Sequence, residues 1–229
     1  MKKSLQLHEF RKNSSKKTTA SVLVLLTMLF IGLSLAEALK FIHPVDVIIT
    51  NFILSFKNHF LTQAAVIISW FGEAPQAYFI LVSSAVALYF TRYRWEAIVL
   101  IVSNIAAIVL EEIIKLIVRS PGPGVPSAAV LQKLSDYSFP SGHVIFYITF
   151  FGLICYFIVS KMEQTWKKVL LLTPPGIIII MIGVSRVYLL QHWISDVVGG
   201  YLLGGLFLII SIRVYEYGIV NNFKLWQRK

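Results

Sequence analysis

An all-α integral membrane protein is the fold class this sequence predicts, with six transmembrane helices, one interfacial amphipathic helix and a site at the outward-facing helix ends. Three observations predict it. Of the 229 residues, 57% are hydrophobic and the mean hydropathy is +0.74, a balance that excludes a water-soluble globule. Apolar runs close to the ~20 residues that cross a bilayer recur along the chain. The Lys and Arg residues, which give a net charge of +10, gather in the breaks between these runs and favour one side of the membrane.

Lys2, Lys3, Arg11, Lys12, Lys16 and Lys17 form a basic head over 1–17, ahead of the first run, Thr18 to Leu39. Ala36-Glu37-Ala38 resembles a signal-peptide cleavage site, but the run is longer than a signal-peptide core of ~7–15 residues, which favours a spanning helix. His43-Pro44 opens a segment with Val45, Ile48, Ile49, Phe52 and Phe56 at helical spacing and with Asp46, Asn51, Ser55 and Asn58 among them. It is too polar to span, so an amphipathic helix lying on the outer membrane surface is expected. Leu61 to Phe90 is apolar but broken at Gly72-Glu73-Ala74-Pro75. Proline starts or kinks a helix there, so the second span lies mostly after Pro75. Glu73 falls near the outer end, as a helix-start carboxylate or as a contact to a substrate headgroup.

Thr91-Arg92-Tyr93-Arg94 is a basic turn before the third run, Trp95 to Val118, which closes on Glu111, Glu112, Lys115 and Arg119. Ser120-Pro121-Gly122-Pro123 cannot continue it. The spacing places Lys115 and Arg119 on one face at the outer end. The connection up to Phe139 has room for a short helix over Ser127 to Leu134 and is long enough to act as a lid. Val144 to Ser160 is the fourth run, followed by a basic turn with Lys161, Lys167 and Lys168. The fifth, Val169 to Leu190, contains Pro174-Pro175-Gly176, which predicts a bend. The sixth runs from about His192 to Tyr215, and Gly199, Gly200, Gly204 and Gly205 allow close helix approach.

No repeat or linker divides the chain, so one membrane-embedded domain over 1–229 is expected, with 216–229 as a tail. Six spans put both termini on one side. That side also holds the larger share of Lys and Arg, including Arg213, Lys224, Arg228 and Lys229, so the termini are expected in the cytoplasm and the site outside. Topology thus explains the positive charge, and no nucleic-acid partner is expected. Cys155 is the only cysteine, which excludes an intrachain disulfide and a Cys-based zinc site. Its place in an apolar run reads as packing.

An ionisable residue within an apolar run costs ~2.5–3.5 kcal/mol on insertion scales, so several gathered near one membrane face need a reason. A belt of snorkelling cations would explain Lys115 alone. It does not explain His143, Arg186, His192 and Asp196 together with Pro140-Ser141-Gly142. A Pro-Ser-Gly step into an apolar run is a helix start whose first N–H groups have no partner inside the helix, and such an end binds phosphate well. His192 and Asp196, four apart, share one helical face, which lets a carboxylate orient an imidazole. A cation, a helix end and two histidines together suit cleavage of a phosphate ester. His8, His43 and His59 lack such company and read as surface or interface residues.

Pro140-Ser141-Gly142-His143 and Ser185-Arg186-x5-His192-x3-Asp196 resemble the second and third signature motifs of the type 2 phosphatidic acid phosphatases. These membrane enzymes share their site with vanadium haloperoxidases, and this chain is similar in length and layout to their small bacterial members. The first motif departs. The family pattern is Lys, six residues, Arg, Pro, which from Lys115 falls on Gly122 and Pro123; the arginine is missing, and Arg119 is the cation nearby that could supply the charge. The resemblance implies His192 as nucleophile, Asp196 as the residue orienting its ring and His143 as general acid. Lys115, Arg186, Ser141 and Gly142, with Arg119, would hold the phosphate.

It further implies a lipid phosphate substrate drawn from the bilayer, a phosphohistidine intermediate and no cofactor. No metal is expected either, since a two-metal phosphatase needs several bridging carboxylates and the two strong motifs offer only Asp196. Phosphatidylglycerophosphate is the expected substrate by family analogy, with phosphatidic acid and undecaprenyl diphosphate as alternatives. From another class, a transporter would show repeated halves with broken helices at the bilayer midplane, whereas these charges sit at one face. A non-catalytic scaffold would leave the histidine pair unexplained.

Overall fold

A computed structural model describes residues 2–123 and 137–221, with side chains from Lys17 onward. The helix expected over Ser127 to Leu134, and the lid it would form, lie outside the described residues. The described chain forms eight helices: α1 (Lys2–Ala38), α2 (His43–Leu54), α3 (His59–Trp70), α4 (Ala74–Phe90), α5 (Arg94–Val118), α6 (Gly142–Lys161), α7 (Trp166–Tyr188) and α8 (Ile194–Val220). Five of these contain spans by length and apolarity, and α3 with α4, bent by 50°, brings the number to six where the bent pair counts as one span. The chain is a multi-pass membrane protein. Apolar side chains such as Ile98, Val102, Ile105, Ile113, Ile180 and Val184 point outward, as suits a surface surrounded by hydrocarbon.

The break expected at Gly72-Glu73-Ala74-Pro75 divides the apolar stretch into two helices. The apolar residues before the break form a helix of their own, because Asn58 caps α3 by accepting the Leu61 N–H at 2.9 Å. Glu73 then holds an extended backbone ahead of Pro75 and opens α4 in a new direction. In α2, Asp46 does not join Asn51 and Ser55 on an exposed polar face; it is buried, as is Thr50. α7 runs as one helix over Pro174-Pro175.

The helix α6 lies at the centre, against α5, α7 and α8, and buries Val144, Ile145, Tyr147 and Leu153 almost completely. Close approach of α8 depends on its glycines: a Cβ on Gly200 would stand 2.9 Å from the Ser141 carbonyl oxygen. At the helix ends remote from His143, Glu96 is fully buried and takes Lys161 Nζ at 2.6 Å and the Tyr215 hydroxyl at 2.9 Å. This pair ties α5, α6 and α8 together and leaves the other ends to form the site.

After α5 the chain turns sharply. Arg119 adopts a left-handed backbone with φ 53°, a conformation L-residues rarely take. Beyond it, Pro121 pairs with Tyr137 in an antiparallel bridge, and the Ser138 N–H donates to the Ser120 carbonyl at 2.8 Å. Trp193 Nε1 donates to the Pro121 carbonyl at 3.0 Å, which fixes this neck against the start of α8.

Candidate active site

Four stretches converge at one end of the helices: the α3–α4 break, the last turns of α5, the first turn of α6 and the turn from α7 to α8. They enclose a cavity of about 810 Å³ lined by Glu73, Glu111, Glu112, Lys115, Gly122, Gly142, His143, Arg186 and His192, among others. The turn into α8 shapes one wall. Helix α7 stops at Tyr188, and Leu190 takes φ 57°. The Gln191 and His192 N–H groups then fold back onto the Arg186 carbonyl at 3.1 and 3.4 Å.

His192 therefore stands just ahead of α8, not on it, because the helix starts at Ile194. Its Nδ1 nonetheless lies 3.5 Å from Asp196 Oδ2, and that oxygen also accepts the Trp193 N–H at 2.8 Å. With Nδ1 facing a carboxylate, the neutral ring carries its proton there and keeps the lone pair on Nε2. Burial pushes the His192 pKa well below its usual value, and the Arg186 and Lys115 charges push the same way, so the ring is neutral near pH 7.

His143 opens the first turn of α6, whose start is tied to α8 by the Ser141 N–H on the Asp196 carbonyl at 3.0 Å. Glu73 Oε1 lies 3.3 Å from His143 Nε2 and 3.5 Å from an Arg186 terminal nitrogen. One half-exposed carboxylate thus bridges the two groups that would flank a phosphoryl oxygen. Arg186 also donates to the Ser69 hydroxyl. Lys115 Nζ is held by Glu111 Oε1 at 2.6 Å, with Glu112 Oε1 at 3.9 Å. Glu111 presses on the start of α6, where a Cβ on Gly142 would overlap its carboxylate.

The structure brings His143, Lys115, Arg186, His192, Gly142 and Glu73 to one cavity. Asp196 and Ser141 stand behind it, both fully buried. Arg119 is not brought in. Its left-handed turn ends the helix before it, so it does not share a face with Lys115; it is exposed, and its Nε donates to the Leu116 carbonyl at 2.9 Å. Gly122, where the family pattern has arginine, does line the cavity. Three contributors escaped the sequence reading. Glu111 was visible only as an i, i+4 partner of Lys115, while nothing local marked Ser69 or Asp46, whose partners lie more than a hundred residues away.

Helical spans enclosing two histidines, two cations and an open helix start define a membrane phosphatase. The chain belongs to the PAP2 superfamily, which it matches over residues 96–219. It is 26% identical over 194 residues to phosphatidylglycerophosphatase B of Bacillus subtilis, covering 84% of this chain and 94% of that one. An undecaprenyl-diphosphatase of Sulfolobus acidocaldarius is 32% identical over 145 residues, covering 62% and 66%. The crystal structure of a transmembrane PAP2-type phosphatidylglycerolphosphate phosphatase from Bacillus subtilis matches the fold with a TM-score of 0.73 at 25% identity, covering 85% of this chain and 96% of that one.

Proposed function

We propose that this protein hydrolyses a lipid phosphomonoester, phosphatidylglycerophosphate to phosphatidylglycerol and inorganic phosphate, through a phosphohistidine and without a metal. The observation that carries the reading is the neutral His192 ring, backed by buried Asp196, in a cavity whose other walls hold His143, Arg186 and Lys115. His192 Nε2 attacks phosphorus, the bond from phosphorus to the lipid oxygen breaks, and His143 gives that oxygen a proton. Water then attacks the phosphohistidine, losing its proton to His143, and phosphate leaves with His192 restored. Arg186, Lys115 and the Gly142 N–H hold the oxygens that carry charge in both transition states. Glu73 gives way to the incoming phosphate, exchanging its contact with Arg186 for one with the headgroup.

Among the described residues, no group of three or more His, Cys, Asp or Glu is set to hold a metal. The test is release of inorganic phosphate by the purified protein in detergent. Phosphatidylglycerophosphate should be cleaved, activity should survive EDTA, and vanadate should inhibit competitively. Loss of activity on chelation that zinc or magnesium restores would overturn the mechanism. The relative named for undecaprenyl diphosphate supports a second reading, so that lipid is assayed alongside. With Gly122 in place of arginine and Arg119 turned away, Lys115 and Arg186 are the cations that line the cavity among the described residues, which favours the monoester.

Arg119 provides a sharper check on the phosphate site. Its exposed side chain on its own helix end predicts that Arg119→Ala changes kcat/KM by less than about threefold. Lys115→Ala should lose on the order of a hundredfold, the scale of removing one transition-state charge contact. Equal losses in the two variants would return Arg119 to the site.

The bias of Lys and Arg supports cytoplasmic termini and a site on the outer face. In a Cys155→Ala background, Lys57→Cys, in the exposed turn between α2 and α3, should react with an impermeant thiol reagent in intact cells lacking outer layers. Gln164→Cys, exposed between α6 and α7, should react only after lysis. The reverse pattern would put the site inside.

A further inference from the structure

Helix α2 takes no part in the chemistry above, yet it carries a buried charge into the site's foundations. Asp46 is 1% exposed. Its Oδ1 accepts the Ser195 backbone N–H at 3.0 Å and its Oδ2 the Ser195 hydroxyl at 2.8 Å, across 149 residues of sequence. Ser195 lies in the first turn of α8, where N–H groups have no partner within the helix, and the next residue is Asp196. Two carboxylates therefore hold one helix start. Asp196 turns back on the Trp193 N–H and His192 Nδ1, while Asp46 grips the same turn from outside it.

A carboxylate is a costly group to bury here. Burial pushes the Asp46 pKa up to about 6; the two Ser195 bonds oppose that rise, and Glu37 of α1 and Asp196 of α8 add to it. An apolar or neutral residue would avoid this cost. What the carboxylate supplies is a two-point grip on one residue, which fixes both the position and the rotation of the first turn of α8.

We propose that Asp46 is a positioning residue for the nucleophile: α2 is a strut that sets the start of α8 through Ser195, and with it the alignment of Asp196 and His192. The proposal rests on His192 being the attacking residue. The grip is one of hydrogen-bond geometry, not of charge. Asparagine can reproduce it, with Oδ1 accepting the N–H and Nδ2 donating to the hydroxyl, and alanine cannot.

The experiment compares wild type, Asp46→Ala and Asp46→Asn as full-length protein in detergent. It measures kcat and KM on p-nitrophenyl phosphate and a lipid phosphate, the melting temperature, and the rate at which diethyl pyrocarbonate modifies His192. Asp46→Ala should lower kcat by roughly 10- to 100-fold on both substrates, the scale of a nucleophile displaced by a fraction of an ångström to an ångström. Its KM should stay within about threefold, and the His192 modification rate should change. Asp46→Asn should keep kcat within about threefold with wild-type His192 reactivity. It should melt no lower at pH 7.5, since the fold disfavours the charged form that asparagine removes.

Unchanged kcat in folded Asp46→Ala, or an Asp46→Asn as impaired as Asp46→Ala, overturns the proposal. Should Asp46→Ala fail to fold, Ser195→Ala, which removes only the hydroxyl bond, decides instead: a lower kcat at constant KM supports the strut, and an unchanged kcat overturns it. If wild type releases phosphate from no ester, the histidine mechanism fails, while the His192 modification rates still report on Asp46.

Discussion

Replacing His192 by alanine should abolish phosphate release from every ester, lipid or soluble, with kcat/KM lower by on the order of 10⁵ or more, the scale of losing a nucleophile. The variant removes the ring nitrogen that the proposed mechanism uses for attack. Burial with Arg186 and Lys115 nearby keeps the His192 ring unprotonated, and in the proposed mechanism Asp196, with Oδ2 3.5 Å from Nδ1, leaves the lone pair on Nε2. His143 does not stand in, because the mechanism assigns it to the leaving oxygen and its ring, at the start of α6, has a half-exposed Glu73 at 3.3 Å in place of a buried orienting carboxylate. Phosphate binding should survive, since Arg186, Lys115 and the Gly142 N–H remain. The measurement is phosphate release on both substrate types, together with alkaline quenching of wild type and variant to trap the acid-labile phosphohistidine. Residual turnover on either substrate above that level, or a phosphoenzyme in the variant, would remove His192 from its role.

The span layout was legible because it depends on composition within each run and on the charges between runs, both of which are local. The motif residues were legible for a related reason: Pro140 to His143 lie side by side in sequence, and His192 and Asp196 lie within one turn's reach. What escaped depends on distant packing. Glu111 reaches the start of α6 from another helix, Ser69 meets Arg186 across more than a hundred residues, and Asp46 grips α8 from the far end of the chain. Arg119 misled in the opposite way. Helical spacing aligned it with Lys115, but that alignment requires the helix to continue, and the Ser120-Pro121 step stops it one residue short, at a left-handed turn.

His143→Ala should behave differently from His192→Ala, and the difference depends on the leaving group. A general acid matters in proportion to how much the departing oxygen needs a proton. The alkoxide of a lipid alcohol is a strong base and leaves poorly without one, whereas p-nitrophenolate leaves readily unaided. His143→Ala should thus lose on the order of 10³ in kcat/KM on a lipid phosphate, within the 10²–10⁴ range of acid catalysis, and about tenfold or less on p-nitrophenyl phosphate. The ring also touches Glu73 and helps line the cavity, so removing it disturbs phosphate binding for both substrates. Dividing one substrate's loss by the other cancels that shared disturbance, as it cancels partial unfolding. The ratio should shift by about a hundredfold in favour of the nitrophenyl ester. Glu73→Gln should leave the ratio near wild type, because it changes what the His143 ring rests against and leaves the proton donor in place. A ratio that stays constant in His143→Ala would assign His143 to phosphate binding alone and require another donor at the lipid oxygen.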